Sequence, residues 1–111
     1  MSKYGSKKVV VDGITFDSKR ESNRYCELKL LEKGGKIKDL ALQPKFELQP
    51  SFRKNGKTIR AINYVADFTY FDIELNKNIV EDVKGFKTKE YILKKKIFEF
   101  VYPELTIIEV K

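Results

Sequence analysis

Two acidic residues and one lysine stand at a spacing that suits hard-metal chemistry. Asp67 lies in the β-branched and aromatic run 62–75, and Asp82 and Lys84 lie two residues apart in the next such run. Residues two apart on a strand share a face, so Asp82 and Lys84 project together. If the two runs pair as a hairpin about residues 76–78, Asp67 lies near Asp82, and their carboxylates repel unless a cation joins them. A divalent metal with oxygen ligands resolves this repulsion, and Lys84 would hold a water beside it.

Glu21 is the third acidic candidate. On a helical wheel it shares a stripe with Tyr25 and Leu28, which directs its side chain toward the sheet. The alternative is that Glu21 pairs with Ser18 in a capping box at the start of its helix. Spacing alone leaves both roles open.

Asp67 and Asp82 also have structural explanations. Asp67, midway along a predicted strand, can form a buried ion pair with a lysine such as Lys84. Asp82 and Lys84 can belong to an ordinary cross-strand charge ladder. In either case the acids serve the fold and need no metal.

The composition excludes several kinds of catalytic site. The chain has no histidine, no tryptophan and a single cysteine, Cys26. Ser-His-Asp and Cys-His catalysis cannot be assembled, and zinc sites lack their ligands. One cysteine allows no internal disulfide, which fits a reducing compartment. No apolar stretch approaches the roughly 18 residues that span a bilayer, so we expect a cytoplasmic protein with no membrane partner.

The positive charge of the chain is concentrated in two segments. Twenty-three Lys and Arg against 16 Asp and Glu give a net charge of +7. The first segment is an exposed turn that carries Arg53, Lys54, Lys57 and Arg60. The second segment, residues 84–96, carries Lys87, Lys89, Lys94, Lys95 and Lys96. Clustered charge fits phosphate contacts, so we expect these residues to bind nucleic acid, although a lysine run on a helix is also typical of a solvated face.

Local signals predict a hairpin and a helix in the first part of the chain. Asp12-Gly13 joins two short β-branched runs, which is typical of a two-residue hairpin turn over residues 9–16. The capping signal at Ser18 and the stop signal Gly34-Gly35 predict a helix over residues 19–33.

The remainder of the chain alternates strands with one more helix. Prolines interrupt residues 37–50, which favours one or two edge strands there. The run 62–75 and the run after it predict two central strands, Thr88 can cap a helix that ends near Val101, and a last strand follows. We therefore expect an α/β (α+β) fold with a central mixed sheet flanked by helices, as one domain over residues 1–111.

The second predicted helix carries two apolar stripes. One stripe contains Tyr91 and Phe98, and the other contains Leu93, Ile97 and Phe100. We expect one stripe to pack on the sheet, which leaves the other for solvent, DNA or a second subunit. The alternative is a helix buried on two sides.

The acidic residues, in chain order, resemble the motifs of the PD-(D/E)xK nuclease superfamily. Glu21 on a helix, Asp67 on a strand and Asp82-Val83-Lys84 on the next strand have an order similar to that of the archaeal Holliday junction resolvases and related small resolvases. The whole chain is similar to a small phage and prophage family of this superfamily. That similarity is carried by the motifs KYGSKK, FDSKRE, YVADF, VEDVKG and YILKKK. Ala66 replaces the proline of the superfamily name.

This resemblance implies a restriction-endonuclease-like core and a metal-dependent endodeoxyribonuclease. It implies that Asp67, Asp82 and the carbonyl of Val83 ligate Mg²⁺ or Mn²⁺. Glu21 would complete the site directly or through water, and Lys84 would position the attacking water. The implied substrate is a Holliday junction or other branched DNA in phage recombination or replication, inside a bacterial host. The two-fold symmetry of a junction implies a homodimer.

Two other functions fit the same residues. A nicking or restriction-type nuclease, or an exonuclease, keeps the site and changes the substrate. A non-catalytic basic nucleic-acid-binding accessory protein would use the acids only to pair with lysines and would bind no metal.

Overall fold

Two helices lie on opposite faces of a mixed β-sheet in the computed structural model of the protein, which describes residues 7–84 and 86–111. This arrangement confirms the predicted α+β fold. Part of the KYGSKK motif and Gly85 of the VEDVKG motif lie outside the described residues. Across the described part of the chain, neither helix is long and apolar enough to cross a membrane.

The helices and strands alternate along the chain. The helices are α1 (Lys19–Lys33) and α2 (Lys89–Val101). The strands are β1 (Val9–Val11), β2 (Ile14–Phe16), β3 (Ile37–Leu42), β4 (Lys45–Gln49), β5 (Phe52–Lys54), β6 (Lys57–Ile59), β7 (Ile62–Val65), β8 (Phe68–Asp72), β9 (Lys77–Val83) and β10 (Ile107–Val110).

The predicted opening hairpin and first helix are both confirmed. Asp12 and Gly13 take φ angles of 53° and 74° between β1 and β2, the left-handed pair that a tight hairpin turn requires. Ser18 Oγ accepts the main-chain N–H of Glu21 at 3.1 Å and so caps α1. Gly35, at φ 76°, ends the helix in a left-handed conformation that a side chain would strain.

The main sheet has the strand order β10-β9-β8-β3. β9 runs antiparallel to β8 and parallel to β10, which makes the sheet mixed as predicted. Successive residues of β9 face opposite sides: Ile79 packs in the α1 core and Val80 in the α2 core. β9 therefore presents one set of side chains to each helix.

A shared kink divides the sheet and corrects one prediction. Asp67 was expected in the middle of a central strand, but it lies in a break between β7 and β8. β8 pairs with β3 in the main sheet, whereas β7 pairs with β4 in a separate two-stranded sheet. Gln43, at φ 51°, precedes Pro44, which has no N–H to donate, so the β3–β4 segment bends there. The β7–β8 segment bends with it, since Gln43 N–H donates to the Asp67 carbonyl at 3.0 Å. β3 and β4 confirm the predicted edge strands.

The turn before β9 lies earlier than predicted. It covers residues 73–76, whereas residues 76–78 were expected. Asn76 takes a left-handed φ of 54°, and Lys77 already pairs with Asp72 across the hairpin. The register is set by this asparagine, because it tolerates the left-handed conformation better than its neighbours.

The exposed turn predicted between Arg53 and Arg60 is confirmed: Asn55 and Gly56 form it, at φ angles of 52° and 76°. The flanking strands β5 and β6 were not predicted, because their polar composition gives little strand signal. They pair with each other from Phe52↔Ile59 to Lys54↔Lys57.

Candidate active site

The kink places the side chain of Asp67 against β9. Its main-chain N–H donates to the Glu81 carbonyl at 3.1 Å, and its Oδ2 accepts the Val83 N–H at 2.7 Å. The Asp67 carboxylate thus accepts a main-chain N–H of β9 at the position just before β8 begins. Burial, followed by the negative charge of Asp82, raises the pKa of Asp67 to about 7. The predicted proximity of Asp67 and Asp82 is confirmed.

Asp82 is the most buried member of the site, with 2% of its surface exposed. The Tyr64 hydroxyl donates to its Oδ2, and Lys84 Nζ lies 3.1 Å from its Oδ1. Burial and then the bond to Asp82 raise the pKa of Tyr64, which keeps the phenol protonated as a donor. Asp82 is therefore oriented from both sides by groups that stabilise its negative form.

Lys84 follows the last residue of β9 and is held there by three contacts. Its N–H donates to the Val110 carbonyl at 2.9 Å, its ammonium pairs with Asp82, and its Nζ lies 4.2 Å from the centre of the Tyr91 ring. Asp82 and Lys84 share a face, as predicted. Their ion pair forms along one strand end and is not a rung of a cross-strand ladder.

Glu21 lies in the first turn of α1 and is buried, with 7% of its surface exposed. The cap at Ser18 uses the main-chain N–H of Glu21 and leaves its carboxylate out of that bond. In the described chain, the reciprocal capping-box bond from Ser18 N–H to this carboxylate is not formed. Burial, and then the charges of Asp17 and Asp82, raise the pKa of Glu21. Glu21 thus lies within electrostatic reach of Asp82.

The donor chemistry of the site fits a hard divalent cation. Within residues 7–84 and 86–111, no three Asp, Glu or Cys side chains form a ready-made metal cluster. Asp67 and Asp82 nevertheless supply two adjoining carboxylates, and each carboxylate oxygen has a second lone pair beyond the bond described. Oxygen donors of this type suit Mg²⁺ and Mn²⁺. Burial, and then the negative charge of Asp82, raise the pKa of Asp67, and a bound cation would favour its ionised form against both effects.

A second charge network, which the sequence analysis missed, lies behind Asp82. Glu81, 1% exposed, receives two hydrogen bonds from Arg24: Nε to Oε1 at 2.8 Å and Nη2 to Oε2 at 2.6 Å. The Tyr70 hydroxyl also donates to Glu81. The bond to Glu81 raises the pKa of Arg24 further. An acid within an apolar strand needs a cation, and this rule could have drawn attention to an arginine on α1.

A cleft of about 230 Å³ opens beside Asp82. Its lining residues are Tyr64, Val65, Asp82, Lys84, Thr88, Glu90, Tyr91 and Lys94. Tyr64 and Tyr91 were not predicted as site residues, although a buried tyrosine needs a partner for its hydroxyl. The cleft gives access from solvent to Asp82 between β9 and the first turns of α2.

The predicted DNA-binding lysines of the second segment differ in their surroundings. Lys87 and Lys95 pair with Glu109, at 2.8 and 3.5 Å. These two are therefore partly neutralised. Lys94 lines the acid cleft, and Lys89 and Lys96 are exposed. A second groove, of about 290 Å³, is also lined by Lys84 and contains two cations that were not predicted, Arg20 and Lys111.

The four cations of the first segment lie on the β5–β6 hairpin. Arg53 braces its turn, since Nη1 donates to Thr58 Oγ1 and Nη2 to the Gly56 carbonyl, both at 2.9 Å. Lys54, Lys57 and Arg60 are exposed. None of these residues lines the described acid cleft.

One stripe of α2 packs on the sheet, as predicted. Tyr91 and Phe98 are buried in the core, whereas Leu93 and Phe100 are 59% and 85% exposed. Ile97 is half-buried against the same core. The alternative of a helix buried on two sides is wrong for this chain.

Comparison with curated proteins finds no match to this chain, and comparison with solved structures finds none either. A family model does match, over residues 1–111. The family is described as a protein of unknown function, DUF1064. Because the match covers every residue, the chain belongs to the DUF1064 family.

Proposed function

We propose that this protein is a metal-dependent endodeoxyribonuclease that hydrolyses phosphodiester bonds in branched DNA. The observation that carries the proposal is the convergence of two adjoining carboxylates, Asp67 and Asp82, with the ammonium of Lys84 at the end of β9. Buried like charges are costly, and a fold retains them where a function needs them. The resemblance of these residues to the PD-(D/E)xK motifs supports the same conclusion.

The cation proposed for the site is Mg²⁺ or Mn²⁺. Asp67 and Asp82 would hold it, with the Val83 carbonyl as a further ligand and Glu21 acting directly or through water. When bound, such an ion polarises a phosphoryl oxygen and lowers the pKa of a coordinated water. The carboxylates of this chain would orient the ion, and its positive charge would lower the raised pKa of Asp67.

Lys84 would act on the attacking water and on the charge that develops at the phosphate. Its ammonium is held in place by Asp82 and the Tyr91 ring, so little reorganisation is needed. Tyr64 acts as a positioning residue, since its hydroxyl fixes Asp82. The cleft at Asp82 and Lys84, with Lys94 at its wall, would admit a DNA backbone to these groups.

The proposed substrate is a Holliday junction or related branch in phage recombination or replication. The supporting features are the chain-wide similarity to phage and prophage resolvase-like proteins and the basic grooves beside the acids. The protein would act in the cytoplasm of a bacterial host, as a homodimer that cuts a symmetric junction twice. The exposed α2 stripe of Leu93 and Phe100 is the proposed interface.

A specific observation also favours a non-catalytic DNA-binding protein. Asp82 is already satisfied by Tyr64 and Lys84 without a metal. In that case the acids belong to an internal hydrogen-bond network, and the basic surface alone carries the function. Metal dependence separates this function from the nuclease.

The deciding experiment is cleavage of a labelled four-way junction in Mg²⁺, Mn²⁺ or EDTA, with matched duplex and single strand as alternative substrates. The variants are Asp82→Asn and Lys84→Ala, and the matched control is Glu104→Gln, an exposed acid outside the site. We expect paired, metal-dependent cuts in the junction, a loss of more than about 100-fold in both site variants, and no change in the control.

Three outcomes would redirect the proposal. Cleavage of duplex or single strand alone keeps the nuclease and replaces the substrate. Metal-independent cleavage that survives Asp82→Asn removes the site assignment. Tight binding without cleavage in either metal favours the accessory protein.

A further inference from the structure

The β5–β6 hairpin contributes nothing to the core of the domain. All residues from Ser51 to Arg60 are exposed. In the part of the chain that the structure describes, β5 and β6 pair with each other and with no other strand. An isolated two-stranded hairpin is marginal in water, so its retention calls for a reason outside the core.

The register of the hairpin places like charges face to face. Lys54 pairs directly with Lys57 next to the turn, so both ammonium groups project from the same face. Two like charges at this position destabilise the hairpin unless an anion lies between them. On the same face, Phe52 pairs with Ile59 at the base of the hairpin, and both side chains are exposed.

Arg53, on the other face, braces the turn without cancelling the charge of the hairpin. The Arg53 guanidinium donates hydrogen bonds to Thr58 Oγ1 and to the Gly56 carbonyl. The segment from Arg53 to Arg60 contains four cations and no acid. The hairpin thus carries four positive charges and no acid on an exposed two-stranded ribbon.

We propose that the β5–β6 hairpin is a DNA-binding arm that contacts the phosphate backbone through Lys54 and Lys57, separately from the acidic site. This inference rests on the DNA substrate of the proposed function. A two-stranded ribbon is narrow enough to enter the major groove of duplex DNA, and the paired lysines at its tip offer two ammonium groups to the phosphates. The arm supplies affinity, and the Asp67–Asp82 site supplies the chemistry.

The test measures binding of a fluorescent DNA duplex and a four-way junction in EDTA across a salt series, so that no cleavage is required. The variant Lys54→Gln/Lys57→Gln is compared with Lys33→Gln/Lys36→Gln, which removes the same charge from exposed lysines at the end of α1. We expect the arm variant to bind roughly tenfold more weakly and to lower the slope of log K against log salt by about 1.8. The matched control keeps the wild-type slope.

Further variants and controls decide whether the charge of the hairpin causes the loss of binding. Lys54→Arg/Lys57→Arg should bind DNA as the wild type does, because it keeps both positive charges. Equal losses in the arm variant and the α1 control would overturn the proposal, since net charge alone would then explain binding. Binding of the hairpin to phosphatidylserine vesicles in place of DNA would also overturn it.

Different results would contradict the proposed DNA-binding arm and the proposed nuclease activity. If the wild type binds DNA through the arm but cuts nothing, the proposed function fails and the arm stands. If cleavage is intact and the arm variant binds as the wild type does, the arm fails and the nuclease stands. Circular dichroism of the arm variant confirms that it folds.

Discussion

Arg24 on α1 forms a two-pronged ion pair with Glu81 on β9, one residue before the candidate ligand Asp82. Glu21 lies one helical turn before Arg24 on the same helix. The pair therefore fixes α1 against β9 at the level where the charges of Glu21 and Asp82 act on each other. A contact on the face of β9 opposite Asp82 thus sets the distance between the helix and strand parts of the site.

Loss of Arg24 should destabilise the protein severely. Arg24→Gln leaves the buried charge of Glu81 unpaired, and we expect a loss of about 3–5 kcal/mol in the free energy of unfolding, measured by urea denaturation. Arg20→Gln, on the exposed side of the helix, should lose less than about 0.5 kcal/mol. Arg24→Met with Glu81→Gln should recover part of the loss. Similar stabilities for the two single arginine variants would contradict this account.

Removal of the Tyr64 hydroxyl should lower the free energy of unfolding more than removal of an exposed hydroxyl. Tyr64→Phe deprives the buried carboxylate of Asp82 of a donor, so we expect a loss of about 1–3 kcal/mol. In Tyr102→Phe, the lost bond to the Glu47 carbonyl is exposed and water replaces it, with a loss of about 0.5 kcal/mol. Chemical denaturation of both variants makes the comparison, and equal losses would show that Asp82 does not depend on Tyr64.

Metal should stabilise the fold through the acid pair. Millimolar Mg²⁺ or Mn²⁺ should raise Tm by a few degrees in the wild type and not in Asp82→Asn. Because the pKa of Asp67 is raised to about 7, binding must displace a proton, and the Tm increase should be larger at about pH 8 than at about pH 6. Thermal denaturation with and without EDTA measures the Tm increase at each pH. An increase that persists in Asp82→Asn would place the metal elsewhere.

Glu109 should contribute stability that depends on pH. Hydrogen bonds from Lys87 and then Tyr91 lower its pKa to about 2, so the charged form is favoured in the folded state. Its contribution is complete above the ordinary pKa of 4.5 and is lost as the pH falls toward about 2. Glu109→Gln should lose about 1–2 kcal/mol at neutral pH, and the difference from wild type should vanish in acid. Glu104→Gln should show no such dependence in the same denaturation series.

Local interactions made parts of this protein predictable from sequence. The limits of α1 follow from Ser18 and Gly35, because a cap and a left-handed stop act within one helical turn. The shared face of Asp82 and Lys84 follows from the two-residue period of a strand, a local property of the backbone.

Tertiary structure decided the features that join distant segments. Asp67 lies in a kink because Pro44 interrupts the neighbouring strand, and the sequence near Asp67 carries no sign of that proline. Arg24 and Glu81 are 57 residues apart in the chain, and only the packing of α1 on β9 brings them together. The sequence by itself thus determined which residues could do chemistry and which way each faces on its own element. Which of them meet was decided by long-range packing, because a pairing between distant segments depends on every element that holds the two in place.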